Sequence, residues 1–315
     1  MAKLAACLLL AAAIGVTYYN ALGNGFVFDD YLVVVNQPAI PAIASDPAQA
    51  FSPAVLGRHR PLRTLSYVLD YRLGGMQPWV FHLSNVVYHW ITSCLVFLVA
   101  LRLVANNAVV SGQLPVADLS QSAIRNPQSA ILPALFVALL WALHPIQTDA
   151  VTYIAGRRDI LAALFFFLGF YAFLRLRSPE SGVRTGGRWV WAGVVFLAYL
   201  LGLLSKEMAA TLPLVMLCYD SVSAVRPERV RFGWGSIKEL SCGVARAVRG
   251  HIYLYVPLLL SGAVFSWYAA FVVLPSSQIG WYGGSITTNF LTVARIWVYY
   301  LYLLLWPVRL LADYT

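Results

Sequence analysis

The stretch "GFVFDDYLVV" at residues 25–34 places Asp29 beside Asp30, flanked by Phe28 and Tyr31, in a chain poor in charge. Adjacent side chains diverge on a helix and point to opposite faces on a strand. The pair is therefore not expected to aim at one atom. One acid could act as a general base while its neighbour orients a group; an ordinary polar boundary of a membrane span is the plainer alternative. Phe26, Phe28 and Tyr31 would shield the pair from water, and acids there are costly unless used. A second constellation is "WALHPIQTDAVTYIAGRRDILA", residues 141–162, with His144, Asp149, Arg157, Arg158 and Asp159. Arginine's planar fork suits bidentate phosphate binding, whereas interfacial snorkelling would use the same residues without a ligand. His144 taken alone reads as a helix-end cap. In "LLSKEMAATL", Lys206 and Glu207 either pair with each other or face a shared outer cavity. Arg60 opens "RPLRTLSYVLDYRLGG". His82, Asn85 and His89 share one helix face at i, i+3 and i+7, set for inter-helix hydrogen bonds or, as the rival, a metal. Arg295 is a charge inside an apolar run, where charges tend to face a cavity or partner.

These residues need a scaffold, and composition says what kind. Of 315 residues 60% are hydrophobic and 11% charged, against about 25% charged in soluble domains. Mean hydropathy is +0.71. An all-α polytopic membrane protein is expected, as one transmembrane domain over 1–315. Runs near the length needed to cross a bilayer lie at 4–22, 80–104, 129–144, 158–175, 189–205, 208–224, 251–273 and 290–311. That makes about eight spans. The first is read as an uncleaved span, because no small-x-small cleavage site follows it. Segment 61–76 is too charged to span and suits an amphipathic helix at the interface in the first outer loop.

With the N-terminus inside, the inner segments carry fourteen Lys and Arg, and the outer ones seven: Arg58, Arg60, Arg63, Arg72, Arg157, Arg158 and Lys206. This obeys the positive-inside rule and accounts for the net charge of +9 without nucleic acid. Seven acids share the outer side: Asp29, Asp30, Asp46, Asp70, Asp149, Asp159 and Glu207. A sign-balanced cluster on one face points to a site. A transporter or lipid flippase, the rival class, would hold its ionisable residues near the midplane. Cys7, Cys94, Cys218 and Cys242 form no CxxC pair, so neither a zinc site nor a disulfide framework is expected. The chain stops as a span finishes, at "LLLWPVRLLADYT", and a missing C-terminal part is expected.

An acidic pair after span one, then "RPLRTLSYVLDYRLGG", "FHLSNVVYHW", "LLWALHPIQTDAVTYIAGRRDILAALFF", "LLSKEMAATLPLVMLCYD" and "LLLWPVRLLADY", resembles in order and spacing one family. These are the transmembrane and tetratricopeptide-repeat-containing O-mannosyltransferases and their bacterial relatives, of the GT-C superfamily. The resemblance covers nearly the whole chain. It implies a GT-C-like helical bundle that transfers a sugar, mannose or a similar hexose, from a polyprenyl-phosphate donor with inversion. The implied acceptor is a protein, through Ser or Thr, or a glycan. The implied location is a bacterial inner membrane rather than the endoplasmic reticulum, with the site on the extracytoplasmic face. By position, Asp29 and Asp30 match the family's acidic motif, and Arg157 and Arg158 its third-to-fourth-span loop. Two departures stand out: Gln147 and Asp149 occupy positions where the relatives show His and Glu, and no tetratricopeptide repeats are present. The chemistry needs a carboxylate base and cations for the phosphate leaving group, which Arg157, Arg158 or Arg295 could supply. His144, Asp149, Asp159, Lys206, Glu207, Arg60 and His82 form the supporting polar cluster. Trp281 and Tyr282 either stack on the sugar or belong to an interfacial aromatic belt. No cofactor or metal is expected.

Overall fold

In the computed structural model the described residues are 1–51, 60–110, 127–177, 185–224, 244–245, 248–268, 271 and 285–307, and among them every regular element is helical. The first helix, α1 (Ala2–Tyr18), is built from Ala and Leu, strong helix formers. It buries Ala6, Leu10, Ile14 and Tyr18 at every fourth position and ends in a 3₁₀ turn, Tyr19–Gly23. A π-helical turn, Tyr31–Val35, and the short α2 (Ala39–Ser45) follow. The interfacial helix expected at 61–76 is present as α3 (Pro61–Gly74), with Pro at its first position, where a missing N–H costs nothing. It turns Leu65, Leu69 and Leu73 outward at i, i+4 and i+8 and buries Thr64, Tyr67, Val68 and Asp70. A lipid-facing stripe over a polar underside fits a helix lying in the interface.

The bundle follows. It comprises α4 (Pro78–Val110), α5 (Pro127–Ala142), the short α6 (Gln147–Thr152), α7 (Arg157–Arg177), α8 (Thr185–Ser205), α9 (Leu212–Ala224), α10 (Ile252–Tyr268) and α11 (Ile286–Leu305). One apolar core joins α1, α4 and α5 around Leu10, Ile14, Phe97, Ala134 and Ala138. A second joins α7, α8, α9 and α10 around Phe173, Val195, Leu212, Met216 and Leu258. A third, smaller core sits under the first outer loop, where Val34, Ile40, Ile43, Tyr67, Phe81 and Ile154 meet. Helices α8 and α9 turn on a 3₁₀ segment, Glu207–Thr211. The turn is tight enough that a Cβ on Gly202 would lie 2.8 Å from the Ala209 methyl.

Among the described residues, five helical stretches are long and apolar enough to cross a membrane: Ala2–Gly23, Pro78–Ala105, Ile154–Arg177, Gly187–Ser205 and Ile286–Leu305. The chain is an all-α polytopic membrane protein, and the other three expected runs are helical too. The runs at 129–144, 208–224 and 251–273 form helices of 16, 13 and 17 residues. Pro145 follows His144 and ends the first of them; the 3₁₀ turn takes the opening residues of the second. The order of helices also puts one set of ends together. Tyr18 donates to the Ala142 carbonyl, tying the last turns of α1 and α5, while Asn85 in α4 binds the Tyr153 carbonyl just before α7.

Candidate active site

The acidic pair divides its labour. Asp30 is fully buried, and both its carboxylate oxygens are taken: Oδ2 accepts the Val27 N–H at 3.0 Å and Oδ1 the Ala155 N–H at 2.8 Å. Burial raises its carboxyl above the ordinary range, against the pull of those two N–H groups. Asp29 is exposed, and its backbone N–H donates to the Tyr153 hydroxyl at 3.0 Å. The turn that separates the two roles forces Phe28 to a φ of 47°, a left-handed conformation uncommon outside glycine. Tyr153 is itself pushed up by burial and by the neighbouring carboxylates, so its phenol keeps its proton.

Arg157 opens α7 and is fully buried. Its Nε donates to Asn85 Oδ1 at 2.7 Å, one terminal nitrogen to the Phe81 carbonyl at 2.7 Å, and the other to the Ser66 hydroxyl at 3.4 Å and to Asp70 Oδ2. Its Cζ lies 4.6 Å from the centre of the Tyr67 ring. Asp70, buried in α3, spends its other oxygen on the Ser84 hydroxyl at 2.5 Å; burial raises its carboxyl and Arg157 opposes that shift. The Tyr67 hydroxyl, pushed up to about 12 by burial, donates to the Ile154 carbonyl at 2.9 Å. Arg157 and Asp70 thus fasten the interfacial helix to α4 and α7. Gly156 is needed just before them: a Cβ there would lie 2.7 Å from the Asp149 carbonyl oxygen and 2.8 Å from that of Ala150.

Arg158, one residue on, faces a different environment. Its Nε comes to 3.5 Å from Asp159 Oδ2. Asp159 also pairs with Lys206 through Oδ1, and Glu207 pairs with Arg60 at 3.3 Å. Lys206 and Glu207 thus each reach a partner on another element of the cluster. Three guanidiniums here, those of Arg60, Arg63 and Arg158, hold a buried Nε that makes no hydrogen bond among the described residues. Arg63 is the most constrained. Burial lowers its affinity for its proton and the Arg60 and Arg158 charges add to that, with Tyr67 and Asp29 opposing. A guanidinium stays protonated regardless, so the arrangement is short of an oxyanion. Arg63 was not singled out from the sequence, although its i, i+3 relation to Arg60 across the first turn of α3 was the signal available.

The other expected residues lie apart from this cluster. His144 caps its own turn, accepting the Ile146 N–H on Nδ1 at 3.2 Å and donating from Nε2 to the Leu304 carbonyl at 2.9 Å. Asp149 is exposed on α6. His82 is buried near Asn24 and Gly25, with neither ring nitrogen in a well-formed hydrogen bond among the described residues. Its face partners Asn85 and His89 do make inter-helix bonds, His89 to the Ala142 carbonyl at 2.9 Å. Arg295 is exposed on α11. The last turn of that helix meets His144 at the outer end of α5, where an inward-running span would place its first turn. Nine residues separate Arg295 from Leu304, so the charge sits roughly 14 Å along the axis from that contact. Trp281 and Tyr282 lie outside the described residues. Among the described residues, no three His, Cys, Asp or Glu side chains are grouped to hold a metal ion.

Fold and site together define a polytopic helical membrane protein with a dense cluster of ionisable groups at one end of the bundle. There an exposed carboxylate stands near three guanidiniums whose buried Nε groups make no hydrogen bond among the described residues. No protein-family model matches the chain, and no solved structure does. Among curated proteins the chain is a relative of protein O-mannosyl-transferases, as its motifs implied. It is 30% identical over 226 residues to Protein O-mannosyl-transferase Tmtc2 of Drosophila melanogaster, covering 68% of this chain and 21% of that protein. It is 32% identical over 239 residues to Protein O-mannosyl-transferase TMTC1 of Homo sapiens, covering 71% and 24%, and 26% identical over 225 residues to TMTC3 of Mus musculus, covering 67% and 21%. The chain thus spans between a fifth and a quarter of the length of the curated relatives it matches.

Proposed function

We propose that this protein is a glycosyltransferase that moves a hexose, mannose or a similar sugar, from a polyprenyl-phosphate donor to a Ser or Thr hydroxyl of an extracytoplasmic protein. Asp29 takes the proton of the acceptor hydroxyl. The acceptor oxygen bonds to the anomeric carbon from the face opposite the phosphate, so configuration inverts. The bond from that carbon to the phosphate oxygen breaks, and the electron pair leaves with the phosphate. Arg63, Arg158 and Arg60 hold the departing charge, a leaving group that needs cations more than a proton donor. Asp30 and Arg157 position these groups without touching substrate. Arg295, roughly 14 Å from the His144 contact along a bundle axis, is assigned no part in the transfer. The reading rests on one observation above all: near an exposed carboxylate, three arginines hold buried Nε groups that make no hydrogen bond among the described residues. The named activity of the relatives supports it, and the Lys/Arg asymmetry supports the extracytoplasmic face.

The test uses the purified chain in lipid nanodiscs with a mannosyl-phosphoryl polyprenol and a Ser/Thr-rich peptide. Loss of donor and gain of glycopeptide are scored. Asp29→Asn should lower turnover by about 10²–10⁴-fold, the usual cost of losing a general base, while donor binding persists. If Asp29→Asn and Asp30→Asn both transfer sugar at near wild-type rates, the mechanism is wrong.

A further inference from the structure

The opposite end of the bundle holds a second polar cluster that the transfer reaction does not use. It forms where α7 ends, α8 begins and α10 begins. His251 stands just before α10, and a guanidinium approaches each of its ring nitrogens: Arg177 comes to 2.6 Å from Nε2 and Arg188 to 3.4 Å from Nδ1. A neutral imidazole has one acceptor nitrogen and one N–H. The shorter contact makes Nε2 the acceptor for Arg177. Nδ1 then carries the proton and faces the Arg188 donor, so two N–H groups oppose each other. The Tyr253 hydroxyl joins the same point: it accepts from Arg188 Nε at 2.9 Å and lies 3.4 Å from His251 Nδ1. A hydroxyl that accepts can still donate, so its own proton is available to a ligand.

Three donors therefore converge on one place: an Arg188 terminal N–H, the Tyr253 O–H and the His251 Nδ1–H. The acid nearby cannot answer them. Asp220 on α9 is buried and committed, to Arg177 at 3.1 Å and to the Tyr255 hydroxyl at 2.8 Å. Trp189 packs edge-on against Tyr253 with centroids 5.3 Å apart and is 65% exposed, as tryptophans at headgroup level are.

We propose that Arg188, Tyr253 and His251, backed by Arg177, form a phosphate-binding site at the end of the bundle remote from Asp29, and that the phosphate it takes is that of an anionic membrane lipid. One phosphate oxygen accepts from Arg188, Tyr253 and Nδ1 together and removes the donor–donor conflict. Binding then favours the protonated imidazole, whose new Nε2–H turns the Arg177 donor away from the ring, leaving Arg177 to its other partner Asp220, 3.1 Å away. In the free protein, burial and the charges of Arg177 and Arg188 hold His251 below its usual range, with Asp220 opposing. A phosphate beside it reverses the balance.

The experiment reconstitutes the full chain in nanodiscs of phosphatidylcholine alone or with phosphatidylglycerol, and in a third arm adds inorganic phosphate to the phosphatidylcholine discs. Lipid retention is read by native mass spectrometry and His251 titration by NMR of labelled imidazole. Phosphatidylglycerol should be retained, and should raise the His251 titration midpoint by about one pH unit or more, as a neighbouring opposite charge does. Arg188→Gln should weaken retention about tenfold by removing charge-assisted hydrogen bonds. Tyr253→Phe, which keeps the ring packing, should weaken it less and leave the unfolding midpoint unchanged. An equal rise with inorganic phosphate alone would uphold the phosphate site and make its source soluble rather than lipid. No rise in any arm, or equal retention by wild type and both variants, overturns the proposal.

Discussion

Replacing Asp70 with Asn probes the pair that fastens the first outer loop to the bundle. The shape is kept and the counter-charge of Arg157 is lost. Both side chains are 0% exposed, so the guanidinium cannot turn to water. The neutral acceptors that remain are Asn85 Oδ1, the Phe81 carbonyl and the Ser66 hydroxyl. Leaving one partner of a buried pair uncompensated costs about 3–5 kcal/mol. The retained acceptors and the face of Tyr67, 4.6 Å away, put the expectation at the lower end, about 3 kcal/mol. Arg157→Met should cost a similar amount, because it strands Asp70 with only the Ser84 hydroxyl. The double variant Asp70→Asn/Arg157→Met removes both charges and should lose less than the sum, with a coupling energy of about 2–3 kcal/mol. The assay is chemical unfolding in detergent micelles followed by tryptophan fluorescence for all four proteins, alongside donor binding. The double variant should still bind the polyprenyl-phosphate sugar, because Arg157 acts from behind the site. Additive losses, an Asp70→Asn within about 0.5 kcal/mol of wild type, or a folded double variant that cannot bind donor would each refute the assignment of Arg157 to structure.

Asp30→Asn should destabilise by about 1–3 kcal/mol, because an amide can accept only one of the two backbone N–H groups and the other is left buried and unpaired; Asp29→Asn should leave the unfolding midpoint where it is. The pH dependence of Asp30 has a definite sign. Its folded carboxyl lies above the ordinary range, so the folded state holds the proton longer. The stability it lends is complete at pH below that range and is lost as pH rises through the raised value; Asp30→Asn should flatten that slope in a pH series of unfolding midpoints. Arg63→Gln should weaken donor binding about tenfold yet hold or raise the midpoint, because a buried cation repelled by Arg60 and Arg158 is removed; a matching loss of both would make Arg63 structural. Gly156→Ala should cost about 1–3 kcal/mol as the new methyl meets backbone oxygens that cannot swing aside, read as a lowered thermal midpoint.

The elements were largely legible because bilayer length and apolar runs are coarse signals, and α3 declared itself by carrying charge where a span could not. What stayed hidden was local. A Pro just beyond residues 127–142 and a 3₁₀ turn just before 212–224 punctuate apolar runs that hydropathy reads as continuous. The short helices of residues 31–51 carry too few turns and too many prolines to show a period. At the site, the residue types were visible but not their division of roles. Arg157 and Arg158 are neighbours, as are Asp29 and Asp30, and nothing in a sequence says which of two adjacent residues turns inward. In both pairs the inward one makes the structural bonds: Arg157 to Asp70, and Asp30 to the Ala155 N–H. Lys206 and Glu207 posed the same problem, and their partners, Asp159 and Arg60, lie 47 and 147 residues away in the chain.

Those sequence separations also order events during synthesis. Asp30 reaches its Ala155 partner across 125 residues, and Asp70 reaches Arg157 across 87. At about 5–20 residues per second, the first outer loop waits roughly 4–25 s after its own translation before the chain that locks it emerges. For that interval Asp70 lacks the cation it is buried against in the finished protein, and the loop has no tether to α7. Anything that must act on the loop while it is open, such as a chaperone or a protease, has this window. Slowing elongation between residues 70 and 157 lengthens it without altering a single contact in the final fold.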